Sequence, residues 1–136
     1  HYRRQRQMCI RDRSSTSSKI LIMATVCYGS TDANVYGSGY LMRDSTDIGV
    51  GTSASGSRQN ISFPLSMSGA GYEAYKVYQH SISFLDSPNT TSQVTYKVQV
   101  RHDVNGTMYI NRSGSDADAD YGHRGISTLT IMEVAA

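Results

Sequence analysis

Between Val94 and Arg101 the chain alternates strictly: Val94, Tyr96, Val98 and Val100 are apolar or aromatic, and Thr95, Lys97, Gln99 and Arg101 are polar. A strand with one buried and one wet face satisfies a period of two, whereas a helix would scatter the same residues round its circumference. This strand lies inside the stretch Ser81 to Ser113, which reads as three strands joined by two turns. Ile82 and Phe84 share a face until Asp86-Ser87-Pro88-Asn89, where proline cannot donate to a ladder. After the central strand, Asp103-Val104-Asn105-Gly106 offers the positive φ angles of a tight hairpin before Thr107-Met108-Tyr109-Ile110 turns back. A chain organised around such a segment is expected to consist of antiparallel hairpins.

The first residues lack this patterning. Arg3 to Asp12, RRQRQMCIRD, resembles the translation of a transposase-type sequencing adapter, whose leftover bases also suit Arg13. On that reading residues 1–13 stand outside the fold and are expected to be irregular and to bury little, and residues 14–136 are a C-terminal fragment of a longer protein. The charge balance then changes. The first 13 residues hold five of the 13 Lys and Arg and one of the 11 Asp and Glu, which leaves eight against ten, a net of −2. The basic balance that would suit a phosphate-rich partner disappears, so no nucleic acid is expected. Cys9 goes with the excluded segment, and Cys27 is expected as a buried thiol on a strand.

Residues 14–18, SSTSS, form a polar lead-in to a single domain over 19–136. In Lys19 to Tyr28, Ile20, Ile22, Ala24, Val26 and Tyr28 fall on one face of a first strand. Val35 to Arg43 follows, and Gly37 and Gly39 between Tyr36 and Tyr40 suggest a bend or bulge. Ile48 and Val50 predict a short strand, and Ile61, Phe63 and Leu65 predict another with Pro64 at an edge. Tyr72 to His80 is read as strand, although its tyrosines recur every three residues. Gly114 to Gly125 reads as a long acidic loop. In the last strand, Ile126 to Val134, Thr128, Thr130 and Met132 oppose Leu129 and Ile131, so apolar side chains on both faces imply an interior position in the sheet or a second covered surface. No apolar run approaches the roughly 20 residues of a membrane helix, and no membrane partner is expected. Short strands with Gly, Ser, Asn and Asp turns predict an all-β, antiparallel sandwich, most simply a jelly roll.

Few residues suggest chemistry. Asp116, Asp118 and Asp120 resemble the opening of a calcium loop, but Ser127 stands where its bidentate carboxylate belongs, and a solvated acidic loop is the favoured reading. Gly49-Val50-Gly51-Thr52-Ser53-Ala54 matches a relaxed dinucleotide fingerprint without the helix that would present its amides. The Asn-x-Ser/Thr triplets at Asn60, Asn89, Asn105 and Asn111 are expected by chance in so hydroxyl-rich a chain, and His80, His102 and His123 have no metal-ligand spacing. Glu73 and Glu133 are the only glutamates, nothing pairs them for hydrolysis, and no Gly-x-Ser-x-Gly elbow occurs. Neither an enzyme nor a cofactor is expected. The abundance of Tyr, ten residues against two Phe and no Trp, is read first as filling of a small sandwich core with the hydroxyl at its edge and second as contact surface with a polar tip; Tyr36, Tyr40, Tyr72, Tyr75 and Tyr121 are the ligand or interface candidates.

The phrases SKILI, SFLDSPNTTSQVTYKVQV and TMYINRS, the Asp-rich loop and GISTLTIMEVAA resemble the C-terminal domain of phage virion structural proteins, tail-fibre-like or appendage-like, of aquatic microbial communities. That resemblance implies a jelly-roll head on the virus particle, a homotrimer whose loops contact a host-surface glycan or protein. A carbohydrate-binding or C1q-like sandwich carried by an extracellular enzyme or adhesin is the alternative.

Overall fold

The structure, a computed structural model, describes residues 5–10, 13–32, 34–52, 55–68, 73–102 and 106–136. Its strands are β1 (Gln5–Ile10), β2 (Lys19–Ser30), β3 (Asn34–Arg43), β4 (Thr46–Ile48), β5 (Phe63–Ser68), β6 (Tyr78–Asp86), β7 (Val94–His102), β8 (Met108–Ile110) and β9 (Thr128–Val134). A single 3-10 turn, Glu73–Tyr75, is the only helical element among the described residues. In the first sheet β3 pairs with β7 on one side and with β4 and β5 on the other, and β1 extends it beyond β7. In the second, β2 lies between β6 and the shared edge of β8 and β9. All these pairings are antiparallel, and the two sheets pack as a β-sandwich.

The long alternating strands fold as their patterns dictate. Ile20, Ile22, Ala24, Val26 and Tyr28 of β2 are buried, and across the core they meet Val94, Tyr96, Val98 and Val100 of β7 and Phe63, Leu65 and Met67 of β5. Pro64 lies in β5, whose one partner strand is β3, so the missing N–H falls on a strand edge.

The connections differ from the expected hairpins. β6 and β8 belong to one sheet and β7 to the other, so both turns flanking β7 carry the chain across the sandwich. The chain also changes sheet between β1 and β2, β2 and β3, and β5 and β6. The β3–β4 turn at Asp44 and Ser45 is a tight hairpin that joins sheet neighbours. Of the Asn-Gly turn, residues 103–105 lie outside the described residues, while Gly106 does adopt positive φ. Period two reports which face of a strand is buried, and it is silent on which sheet the strand joins.

Three further expectations are corrected. β3 is continuous rather than bulged, because Gly37 and Gly39 serve packing: a Cβ at Gly39 would overlap the Phe63 ring and one at Gly37 would meet Met108 and Leu65. The stretch read as strand from Tyr72 contains the 3-10 turn, and β6 starts only at Tyr78. Residues 5–10, expected to be irregular, form the edge strand β1, with Gln5 to Ile10 in register against Gln99 to Val94 and Ile10 packed on the core. Arg13, also set aside, is buried and donates from Nε to the Thr90 carbonyl at 2.7 Å and from Nη2 to the Ser92 carbonyl at 2.6 Å. The backbone of an edge strand supplies pairing whatever its side chains are, which hydropathy patterning cannot register.

Candidate functional site

The turns sort to the two ends of the sandwich. At one end the β2–β3 turn meets the long connections around β8: Ser30 donates to the Thr107 carbonyl at 2.8 Å and the Thr107 amide donates to Asp32 at 3.0 Å. The Ser115 amide donates to the Ala74 carbonyl at 2.7 Å, so residues 114–125 lie against the 3-10 turn. The Asp86 to Thr91 turn lies at the other end, where Arg43 donates to the Ser87 carbonyl.

Within the first end Tyr75 and Tyr121 meet edge to face with ring centroids 4.7 Å apart, while remaining 37% and 45% exposed. Tyr75 comes from the 3-10 turn and Tyr121 from the acidic loop, joined by hydrogen bonds rather than by a shared strand. His123 donates from Nδ1 to the Tyr75 carbonyl at 3.2 Å, and the Ser113 amide donates to the His123 carbonyl at 2.9 Å. The loop folds back on itself through the Gly122 amide to the Ala119 carbonyl and through the Arg124–Asp116 ion pair at 2.6 Å. That pair is largely exposed and contributes little to stability, so it shapes the loop more than it secures it. The result is an aromatic surface with a histidine, an arginine and carboxylates at its margin, the composition of a contact site for polar ligands with flat apolar faces.

The other sequence candidates are placed differently. Tyr36 projects from the outer face of β3 and is half exposed. Tyr40, expected as a ligand or interface residue, is buried at 2% exposure: the Arg101 guanidinium stacks 3.8 Å from its ring centre and its hydroxyl donates to Gln59 at 2.9 Å. Gln59, from the connection between β4 and β5, thus reaches over Tyr40 on that outer face, a cover that alternation alone does not reveal. Tyr72 lies outside the described residues. Asp116 is engaged by Arg124, Asp118 and Asp120 are exposed, and no group of three His, Cys, Asp or Glu residues among the described residues could hold a metal ion. Cys27 is buried beneath Gly125, and burial raises its thiol pKa.

A polar cluster that sequence reasoning missed lies at the opposite end. Arg43 donates from Nη1 to both Asp86 oxygens at 3.0 and 3.1 Å, and Tyr96 donates its hydroxyl to Asp86 at 2.7 Å. Arg43 and Tyr96 belong to one sheet and Asp86 to the other, so this cluster clasps the layers together. Little in the sequence signals it, because Asp86 is followed by Ser87, Pro88 and Asn89 and reads as ordinary turn chemistry. Among the described residues no helix is long and apolar enough to cross a membrane. No family model, curated protein or solved structure matches the chain.

Proposed function

We propose that the chain is a non-catalytic virion domain of a phage, a tail-fibre or decoration module that assembles as a homotrimer and contacts a host-surface glycan or protein through its loops. The observation that carries this reading is the exposed Tyr75–Tyr121 pair, held at one end of a rigid sandwich by hydrogen bonds to His123 and Ala74. Sugar rings present apolar C–H faces edged by hydroxyls, and an exposed tyrosine surface beside polar and charged groups matches both. Loops on a rigid scaffold are where binding residues concentrate.

The test is binding of the purified chain to arrayed glycans and to whole host cells. Tyr121→Ala is expected to weaken binding by about 2- to 12-fold, the equivalent of the roughly 0.5–1.5 kcal/mol of one aromatic contact, while Tyr36→Ala on the outer face of β3 leaves it unchanged. Antibody raised against the chain should label phage particles. Labelling of an extracellular enzyme or adhesin instead would transfer the domain to the alternative carbohydrate-binding class, and unchanged binding by Tyr121→Ala would remove the tyrosine pair from the contact.

A further inference from the structure

The outer face of the second sheet is divided in two. Towards the end that carries the tyrosine pair it is covered by the chain itself, where residues 111–127 lie over Cys27 and Gly29: the Cys27 amide donates to Ser127, and the Asn111 amide donates to the Cys27 carbonyl. Towards the other end it is bare. There β2 pairs Leu21 with Leu85 of β6 on one side and with Met132 of β9 on the other, so three apolar side chains form a row across the sheet. The next outward row is Ser83, Met23 and Thr130, and the one after it Ser81, Thr25 and Thr128. Leu85, Met132, Val134 and Met23 are 45%, 44%, 41% and 37% exposed. The charge on this face is Lys19, at its end opposite Val134.

We infer that this bare face is the surface through which copies of the chain associate. The identity of the occupant follows from its chemistry. Nucleic acid and anionic lipid need several cations, and the face offers Lys19 alone. A glycan needs aromatic planes and free polar groups, but there is no aromatic in these rows and the Thr25 and Ser81 hydroxyls hydrogen-bond each other at 2.9 Å. A partner must therefore be an uncharged apolar protein surface of the same dimensions, and a second copy of this face is one. Three strands about 4.8 Å apart and seven residues long, with their flanking side chains, present a face of roughly 20 by 25 Å. Two such faces in contact bury about 500 Å² on each partner, the low end of specific interfaces, so association is concentration-dependent rather than obligate.

Two copies that meet through the same face form a two-fold pair, so this contact is additional to the proposed trimer; it rests on different residues from the tyrosine site, and the two can fail separately. Sedimentation of the full chain over the micromolar range should show a mass above the monomer that rises with concentration. Met132→Lys and Thr130→Arg, both exposed, should each weaken association about tenfold or more while leaving the thermal midpoint and β-sheet circular dichroism unchanged. A chain that stays monomeric at 100 micromolar, or assembly that survives both substitutions, would overturn the inference. Glycan and cell binding measured on the same variants reads the tyrosine site independently. A parent chain that assembles but binds no glycan or cell would count against the proposed function alone.

Discussion

Asp86 shows how one residue can couple two layers. Its carboxylate is 5% exposed and accepts from Arg43 and Tyr96, both from the facing sheet. Asp86→Ala leaves a guanidinium and a buried hydroxyl without their acceptor. Because Arg43 keeps 29% of its side chain in solvent, the expected loss is about 2–3 kcal/mol, below the 3–5 of a fully buried pair. Urea unfolding checks it, and a loss under about 0.5 kcal/mol would make the clasp an ordinary surface pair. The same cluster sets an alkaline limit. Burial first, and then the hydrogen bond to Asp86, raise the Tyr96 hydroxyl above its ordinary pKa of 10. A proton held more tightly by the folded chain gives stability that is complete below about pH 10 and falls as the pH rises beyond it. Tyr96→Phe should flatten that decline when midpoints at about pH 8 and about pH 11 are compared. Glu133 has the opposite sign. Hydrogen bonds from the Ser14 and Ser18 hydroxyls and the Ser14 amide lower its pKa from 4.5, so its contribution is present above that value and is lost as the pH falls through the folded one.

At the scale of the strand, legibility depended on whether a residue's environment is set by its own element. β2 and β7 were readable because each presents one face to the core, and alternation encodes that directly. Ser18 just before β2, Ser30 at its end, and Tyr40 in β3 are buried by chain from elsewhere, so nothing in their local sequence marks them. The tyrosine site was half legible for the same reason: the sequence offered exposed aromatics, and folding chose which two would meet. The glycines of β3 make a related point. At Gly39 the Phe63 ring occupies the space of a side chain, so Gly39→Ala forces the ring aside within a buried cluster. The expected cost is about 1–3 kcal/mol, read as a lowered denaturation midpoint. Gly51, with nothing near a built Cβ, is the control, and its alanine variant should unfold within about 0.5 kcal/mol of the parent.

The whole molecule poses the question of where its fold begins. The adapter-like segment supplies β1, which covers the edge of β7 and places Ile10 on the core, while Arg13 reaches the carbonyls of Thr90 and Ser92 in the β6–β7 turn. These contributions are separable, because the first is backbone pairing at an edge and the second is a charged side chain held in a buried setting. A chain starting at Arg13 exposes the β7 edge from Val94 to Gln99 but keeps the core strands and the Asp86 clasp, so it should fold as the same sandwich. Its open edge is a template for pairing with other chains, and it should aggregate more readily on heating than the full chain. Starting one residue later removes two charge-assisted hydrogen bonds to carbonyls that no longer have that partner. The expected further loss is about 1.5–3 kcal/mol. Thermal unfolding and light scattering of chains beginning at His1, Arg13 and Ser14 separate the effects. Equal stability of the last two would mean that the Arg13 side chain contributes nothing to the fold.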